Sequence, residues 1–279
     1  MSIFLTTICL LLELFYKKSF NRRFLFKQLS YANSCYCCIM QVTLTIIRYN
    51  KPRVVVALFA MAIFRFPLWI NKNISFFKLM GCGKNGTFDK NPDWQQWGIL
   101  AINNHSTEIN STDTQLLMKS LYGNLISKWL QFFNCETWTI FLQPVEGHGK
   151  WDGKEPFGIL PKQTDNDGLI AVLTRATIRL SKLSAFWKNV GSVADQMAGA
   201  KGFVTSIGIG EIPYIKQATF SIWRSKEDMK NFAYQLKEHQ EVIKKTRKEK
   251  WYSEDMFMRF KPLQTVGTIK GYNPLEGII

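Results

Sequence analysis

The stretch Leu79-Met80-Gly81-Cys82-Gly83 has a counterpart in Ser206-Ile207-Gly208-Ile209-Gly210, and Phe141-Leu142-Gln143-Pro144 has one in Arg259-Phe260-Lys261-Pro262. The first pair is separated by 127 residues and the second by 118, a difference expected when two copies carry loops of different length. An internal repeat of this kind indicates a fold built from two similar halves.

The hydrophobic pattern around these motifs predicts the same order of elements twice. The first series is strand, helix, strand, strand, helix, strand, at 42–49, 54–64, 75–80, 94–102, 113–133 and 137–144. The second follows the same order, at 169–180, 182–198, 203–207, 217–223, 226–250 and 256–262. Each βαββαβ series is a ferredoxin-like half. We therefore predict an α+β single domain in which two tandem halves form an eight-stranded barrel, like a dimeric α+β barrel, with a pocket between sheet and helix.

These patterns divide the chain into four parts. Residues 40–160 form the first half, 169–264 the second, and 265–279 a tail, with 1–39 as an atypical extension. The apolar stretch 54–64 has only eleven residues, too few to span a bilayer, so we expect it to be a buried helix.

Residues 1–39 differ in character from the rest. An apolar run from Ile3 to Tyr16 is interrupted by Glu13, and the basic residues after it are not followed by a small-residue cleavage site. We expect translation to begin at Met40, which opens a regular strand pattern. The alternative is a short membrane anchor with its positive residues on the cytoplasmic side.

The chain is basic, with 36 Lys and Arg against 21 Asp and Glu. This charge suits an anionic membrane, a nucleic acid or an acidic protein partner. Over 237–250 the lysines alternate with glutamates, as on a solvated helix face, so we expect no nucleic acid. Four of the six cysteines precede residue 40, which indicates reduced, cytoplasmic usage.

Common catalytic motifs give little support for hydrolase or nucleotide chemistry. Residues 81–86 fit GxGxxG, but they lie between two predicted strands, whereas a nucleotide loop must open a helix. We interpret Gly81 and Gly83, with their counterparts Gly208 and Gly210, as hairpin turns that need positive φ. His105 falls in a turn-like polar stretch and is expected to be a loop residue. His148 follows a predicted strand and is expected to be exposed; the alternative is a place at the mouth of a pocket.

His239 lies on an apolar stripe of the helix predicted over 226–250. The stripe repeats at steps of three and four residues and comprises Met229, Phe232, Leu236, His239 and Ile243. A histidine in such a place is more often a core residue whose nitrogens bond to backbone. The alternative is an axial ligand to haem iron, clasped by the apolar neighbours Phe232, Leu236 and Ile243.

A second polar group lies on the strand predicted over 169–180. Alternation places Arg175, Thr177 and Arg179 on one face. That face is either a solvated outer surface or a polar cluster that would hold haem propionates or guide bound oxygen.

Several ordered blocks between residues 40 and 261 resemble the spheroidene monooxygenase family. They include Phe64-Arg-Phe-Pro67, Trp138-Thr-Ile-Phe-Leu-Gln-Pro-Val145, Leu173-Thr-Arg-Ala-Thr-Ile-Arg179, Thr219-Phe-Ser-Ile-Trp223 and Trp251-Tyr-Ser-Glu-Asp-Met-Phe-Met-Arg-Phe260. The resemblance implies an oxygen-dependent enzyme containing haem b that oxidises C-2 of acyclic carotenoids, with reduced ferredoxin as electron donor.

The family is similar to haem aldoxime dehydratases in its C-terminal histidine-bearing helix, and His239 occupies that position. The resemblance therefore favours the iron-ligand interpretation of His239. It also implies a carotenoid substrate and a cytoplasmic protein peripheral to the inner face of the cytoplasmic membrane. A non-catalytic haem carrier of the same fold stays open as the alternative function.

Overall fold

The computed structural model describes residues 41–84, 86, 91–104, 113–165, 168–235 and 244–279, with the backbone alone for 190–195, 234 and 235. The chain separates into two units, residues 1–39 and 40–279. The predictions for the first 39 residues, and for His105, Leu236, His239 and Ile243, lie outside the described residues.

The second unit contains the βαββαβ order twice, as predicted. The first half comprises β1 (Gln41–Arg48), a 3-10 turn (Lys51–Arg53), α1 (Val54–Ile63), α2 (Arg65–Ile70), β2 (Ile74–Gly83), β3 (Pro92–Asn103), α3 (Thr114–Tyr122), α4 (Asn124–Phe132) and β4 (Glu136–Gly149). The second comprises β5 (Ile170–Ile178), a 3-10 turn (Leu180–Lys182), α5 (Leu183–Ala198), β6 (Phe203–Ile212), β7 (Lys216–Trp223), α6 (Lys226–Gln235) and β8 (Tyr252–Gly267). Residues 244–248 are also helical.

The eight strands close into one antiparallel barrel in the order β1-β3-β2-β6-β7-β5-β8-β4. Two seams join the halves. The seam between β4 and β8 is long, running from Trp138 paired with Gly267 to Gly149 paired with Met256. The seam between β2 and β6 has two residue pairs in the described register, Gly81 with Gly210 and Cys82 with Ile209. The α+β barrel predicted from the repeat is confirmed.

The repeated glycine motifs have a different role from the one expected. Gly81 and Gly83 lie inside β2, and Gly208 and Gly210 lie inside β6. Of the glycines in these motifs, Gly86 alone has positive φ, at 76°. The interpretation as hairpin turns was therefore wrong: each motif is the strand that meets its counterpart at the short seam. A Cβ on Gly210 would lie 3.0 Å from the Lys216 backbone oxygen, so a larger residue would crowd this edge.

The barrel interior is filled by side chains from both halves. Val42, Leu44 and Ile140 from the first half and Leu173 and Phe220 from the second share one buried cluster. The tail belongs to this cluster through Ile269 and Leu275, of which Leu275 has no exposed surface. Because β8 continues to Gly267 and the tail then packs inward, residues 265–279 are part of the barrel.

The helical layers on the two halves differ. In the first half, Ala57, Ala60, Phe64 and Leu68 pack with side chains of α3, α4 and the sheet in a second buried cluster. The opposite side of the same helical segment is exposed, so the prediction that 54–64 is buried was wrong for that side. The helix also extends from Lys51 to Ile70, which by length and composition is sufficient to cross a membrane. The single helix predicted over 113–133 breaks at Gly123, where φ is 90°.

Candidate functional site

The outer face of the second half is the strongest candidate for a ligand site. Met229 and Phe232 of α6 pack with Ile170, Val172 and Trp223 in one buried cluster, which shows that α6 covers this side of β5 and β7. The Phe232 ring lies 5.1 Å from that of Trp223, centroid to centroid. The beginning of the predicted apolar stripe is thereby confirmed; the rest of it lies outside the described residues.

Farther along the same side, the sheet carries small and polar residues. The strand register aligns Gly208, Thr219, Thr174 and Phe257 in one row across β6, β7, β5 and β8. Because alternate strand residues share a face, this row continues the face formed by Val172 and Trp223. Thr174 is exposed although it lies in the middle of a strand flanked on both sides. We call this row, with Ser206 and Ser221 beside it, the second-half face.

The matching region of the first half is filled. Tyr122 from α3 is buried, and its hydroxyl lies 2.7 Å from Thr45 Oγ1. Thr45 Oγ1 in turn lies 2.8 Å from Thr139 Oγ1, so these buried hydroxyls bond to one another. On the second-half face, Thr219 Oγ1 is buried without a hydrogen-bond partner among the described residues. Buried polar atoms are normally paired, so an unpaired hydroxyl beside an exposed threonine points to a ligand that this face would receive.

A buried ionic cluster borders the second-half face where α6 begins. Glu146 on β4 accepts hydrogen bonds from Lys226, 2.8 Å away, and from Arg259 on β8, and Thr164 also donates to it. Burial alone would raise the pKa of Glu146, but these donors together lower it to about 2. The cluster holds two cations and one anion, and Arg259 Nε is without a partner among the described residues. Its excess positive charge suits an added carboxylate.

The structure does not bring Arg175, Thr177 and Arg179 together. Arg179 lies beyond the end of β5, is exposed, and donates from Nε to the Tyr252 carbonyl oxygen at 3.2 Å. Arg175 is 1% exposed and lies on the interior side of the strand with Leu173. The interpretation as a solvated outer surface was therefore wrong for Arg175, which is buried. The role of these residues toward haem propionates or bound oxygen stays a prediction.

Arg175 belongs instead to an ionic cluster at one end of the barrel. It pairs with Glu254, with Asp152 at 3.1 Å and with Glu211 at 3.4 Å. Lys78 and Lys216 also pair with Asp152, and Trp151 donates to Glu211 at 2.7 Å. Burial acts to raise the pKa of Asp152, but the two lysines hold it well below its usual range. Three cations balance three carboxylates, which indicates a structural closure of the barrel end.

His148 is exposed, as expected, and lies at a small cleft beside β8. The cleft has a volume of about 250 Å³ and is lined by apolar residues of the loop 156–160 and by Met256 and Met258. Ligand pockets usually have at least about 300 Å³. In the part of the chain that the structure describes, no three His, Cys, Asp or Glu residues are grouped to hold a metal ion.

The sequence reading missed Thr174, Thr219, Lys226 and Arg259. Thr174 and Thr219 carried a usable signal, since each is a small polar residue that shares a strand face with a large apolar residue, Val172 and Trp223 respectively. Lys226 and Arg259 carried none, because lysine and arginine side chains are normally solvated wherever they lie in an element.

Comparison with known proteins places the chain in a family. A spheroidene monooxygenase of Cereibacter sphaeroides is 33% identical over 236 residues, covering 84% of this chain and 70% of that one. One of Rhodobacter capsulatus is 34% identical over 218 residues, covering 77% and 86%. One of Rubrivivax gelatinosus is 32% identical over 199 residues, covering 70% and 72%.

Solved structures support the fold independently. A crystal structure of aldoxime dehydratase has a TM-score of 0.54 at 9% identity and covers 85% of this chain and 88% of its own. Another, in complex with butyraldoxime, has a TM-score of 0.53 at 10% identity and covers 86% and 87%. No family model matches the sequence. The identity to three proteins of one name, over more than two thirds of each, shows that the chain belongs to the spheroidene monooxygenase family.

Proposed function

We propose that this protein is a haem-dependent monooxygenase that introduces oxygen, first as hydroxyl and then as ketone, at C-2 of acyclic carotenoids. Membership of a family of monooxygenases carries the proposal. The names of the three relatives, which specify spheroidene, support a carotenoid substrate. The haem cofactor, oxidation at C-2 and ferredoxin as electron donor go beyond what family membership gives, and we propose them here.

The second-half face supports the presence of a bound group. A bound cofactor needs room above the sheet, and the neighbouring residues Gly208, Thr219 and Thr174 have small side chains. The first half has no comparable opening among its described residues, since Tyr122 occupies that region. The unpaired hydroxyl of Thr219 would gain a neighbour there.

Five residues would hold the haem on this face. His239, which follows α6 in sequence, would supply a nitrogen ligand to the haem iron, and Leu236 and Ile243 of the predicted stripe would contact the haem. Phe232, whose ring packs against that of Trp223, would close one end of the haem site. Arg259, with its unpaired Nε, would receive a haem carboxylate.

Cysteine thiolate is the other ligand common in oxygen-activating haem proteins. Neither described thiol lies on the second-half face: Cys82 belongs to the buried cluster of the barrel interior, and Cys135 packs against the buried cluster of the first half. This favours His239 as ligand. When bound, haem supplies the centre at which O2 is activated, and the protein's part is to position the carotenoid end and to exclude water.

The remaining partners follow from chemistry and charge. Reduced ferredoxin, an acidic protein, would deliver electrons to this basic chain. A carotenoid dissolves in lipid, so we place the enzyme in the cytoplasm, peripheral to the inner face of the cytoplasmic membrane.

The experiment is an absorbance spectrum of the full chain purified and reconstituted with haem. We expect a Soret band in the wild type, its loss in His239→Ala, and its retention in His148→Ala, a matched change at an exposed histidine. The proposal fails if the reconstituted wild type shows no haem spectrum, or if His239→Ala binds haem as the wild type does.

Turnover separates the enzyme from the alternative, a non-catalytic haem carrier. The loaded protein is given an acyclic carotenoid, O2 and reduced ferredoxin, and the products are resolved by mass. Addition of oxygen at C-2 supports the monooxygenase. A stable haem spectrum without any oxygenated product would favour the carrier.

A further inference from the structure

The helical segment Lys51–Ile70 exposes an apolar stripe on the side opposite its buried face. Its large exposed side chains recur at steps of three and four residues, and five of them form one face: Val55, Phe59, Ile63, Phe66 and Ile70. Phe59 and Phe66 are 62% and 63% exposed. A contiguous exposed apolar surface of this kind is uncommon on soluble proteins and usually marks an interaction site.

The segment lies along the barrel and not across a membrane. Its other face, formed by Ala57, Ala60, Phe64 and Leu68, packs into the buried cluster of the first half. Phe64 contacts Trp129 of α4 edge to face at 5.8 Å between ring centroids. Although its length and composition would allow it to cross a bilayer, a helix held along its whole length by the protein can only lie on a surface.

The charge of the surrounding helices is of one sign. The segment Lys51–Ile70 together with α3 and α4 contains five basic residues and no Asp or Glu: Lys51, Arg53, Arg65, Lys119 and Lys128. Arg53 lies over the Phe133 ring at 5.9 Å, and Phe132, next to Phe133, is 78% exposed. The apolar stripe therefore continues toward the end of α4, with Arg53 at its border. We call this surface the first-half helix face.

We propose that the first-half helix face docks on the surface of an anionic phospholipid bilayer. The phenylalanines would enter the level between headgroups and acyl chains, and the exposed Lys51, Lys119 and Lys128 would meet lipid phosphates. A symmetric contact between two copies is disfavoured, since it would bring the same cations together without any acidic partner. The first-half helix face would thus be the surface through which the protein associates peripherally with the membrane. That this docking delivers a carotenoid to the enzyme rests on the proposed function.

The test is co-sedimentation of the full chain with lipid vesicles. One set contains phosphatidylcholine alone, and the other an equimolar mixture of phosphatidylcholine and phosphatidylglycerol. We expect the wild type to sediment with the anionic vesicles, more weakly with the neutral ones, and less as salt rises. Phe59→Glu/Phe66→Glu should weaken binding by about tenfold or more, because it removes apolar contact and adds two repulsive charges.

The matched control is Leu180→Glu/Leu263→Glu, which makes the same kind of change at two exposed leucines outside this face. Its binding should equal that of the wild type. Far-UV circular dichroism checks that both double variants are folded. Since all substituted side chains are exposed, neither variant should lose its fold.

Three results would overturn the proposal: a wild type that stays in solution, a Phe59→Glu/Phe66→Glu variant that binds as the wild type does, or an equal loss in the control. A wild-type dimer that Phe59→Glu/Phe66→Glu separates, without vesicle binding, would identify a contact between copies instead. The haem spectrum is read in the same samples. Vesicle binding without haem would refute the proposed function alone, and haem without vesicle binding would refute the docking surface alone.

Discussion

Glu146 shows how one carboxylate can organise a whole corner of the molecule. It lies on β4, yet its partners come from β8, from the start of α6 and from the loop that contains Thr164. Lys226 and Arg259 are both more than nine-tenths buried, so each depends on this carboxylate for its counter-charge. Glu146 therefore fixes the start of α6 against the barrel, beside the second-half face.

We predict that Glu146→Gln destabilises the protein by about 3–5 kcal/mol at neutral pH, because it leaves two buried cations uncompensated. Urea denaturation measures the free energy of unfolding. Glu276→Gln, the same change at an exposed position, should have almost no effect. A loss below about 1 kcal/mol in Glu146→Gln would show that the cluster contributes little to stability.

The same residue predicts a pH dependence. The pKa of Glu146 is lowered in the fold from its ordinary 4.5 to about 2, so the unfolded chain binds more protons between these values. Its stabilising contribution is complete above about pH 4.5 and is lost as the pH falls toward 2. The stability difference between wild type and Glu146→Gln should shrink over this interval. A constant difference would contradict the assignment.

At the scale of elements, the break between α3 and α4 depends on backbone conformation. Gly123 caps both helices with φ 90°, and a Cβ placed there would meet no atom within 4 Å. Gly199, at the end of α5, also has open space but an ordinary φ of −92°. A Cβ would be free of crowding at both glycines, so a comparison of alanine substitutions at the two positions reports the effect of the backbone conformation alone.

We predict that Gly123→Ala destabilises the protein by about 1 kcal/mol or more, since alanine is strained at positive φ. Gly199→Ala should be neutral or slightly stabilising, because it restricts the unfolded chain alone. Thermal unfolding followed by circular dichroism compares them. Equal losses of stability in the two variants would mean that the positive φ of Gly123 does not decide the break between α3 and α4.

At the scale of the whole molecule, the barrel is closed by contacts that join distant parts of the chain. The tail is the clearest case: Trp138 Nε1 on β4 donates to Thr265 Oγ1 at 2.6 Å and to Asn273 Oδ1 at 3.1 Å. The ionic cluster around Arg175 also joins the two halves, because Glu211 of the second half pairs with both Lys78 of the first half and Arg175. Neither half can expose its interior without disturbing the other.

We predict that Leu275→Ala costs about 2–5 kcal/mol, as expected for a fully buried leucine. Leu263→Ala, at a leucine that is 44% exposed, should cost clearly less. Tryptophan fluorescence and far-UV circular dichroism should give one coincident urea transition for both variants. A tail that unfolds separately, with little effect of Leu275→Ala on the barrel transition, would contradict this account.

The sequence by itself determined the order of elements, the duplication and the family, because hydrophobic periodicity and repeated motifs are local properties that survive in the chain without its fold. It also predicted the apolar beginning of α6, which Met229 and Phe232 bear out. It placed the strand ends too early at Met80, Ile207 and Pro262, because the polar and glycine residues that follow still pair with a neighbouring strand.

The tertiary structure alone decided which side of each element is covered. Gly81 and Gly210 meet across a seam between residues 129 positions apart, and no local pattern distinguishes such a strand from a turn. Arg175 is buried because carboxylates from three distant segments neutralise it, and the segment Lys51–Ile70 is exposed because nothing else in the described chain covers its second side. Burial and charge compensation arise from contacts between distant residues, and these contacts exist only once the barrel has closed.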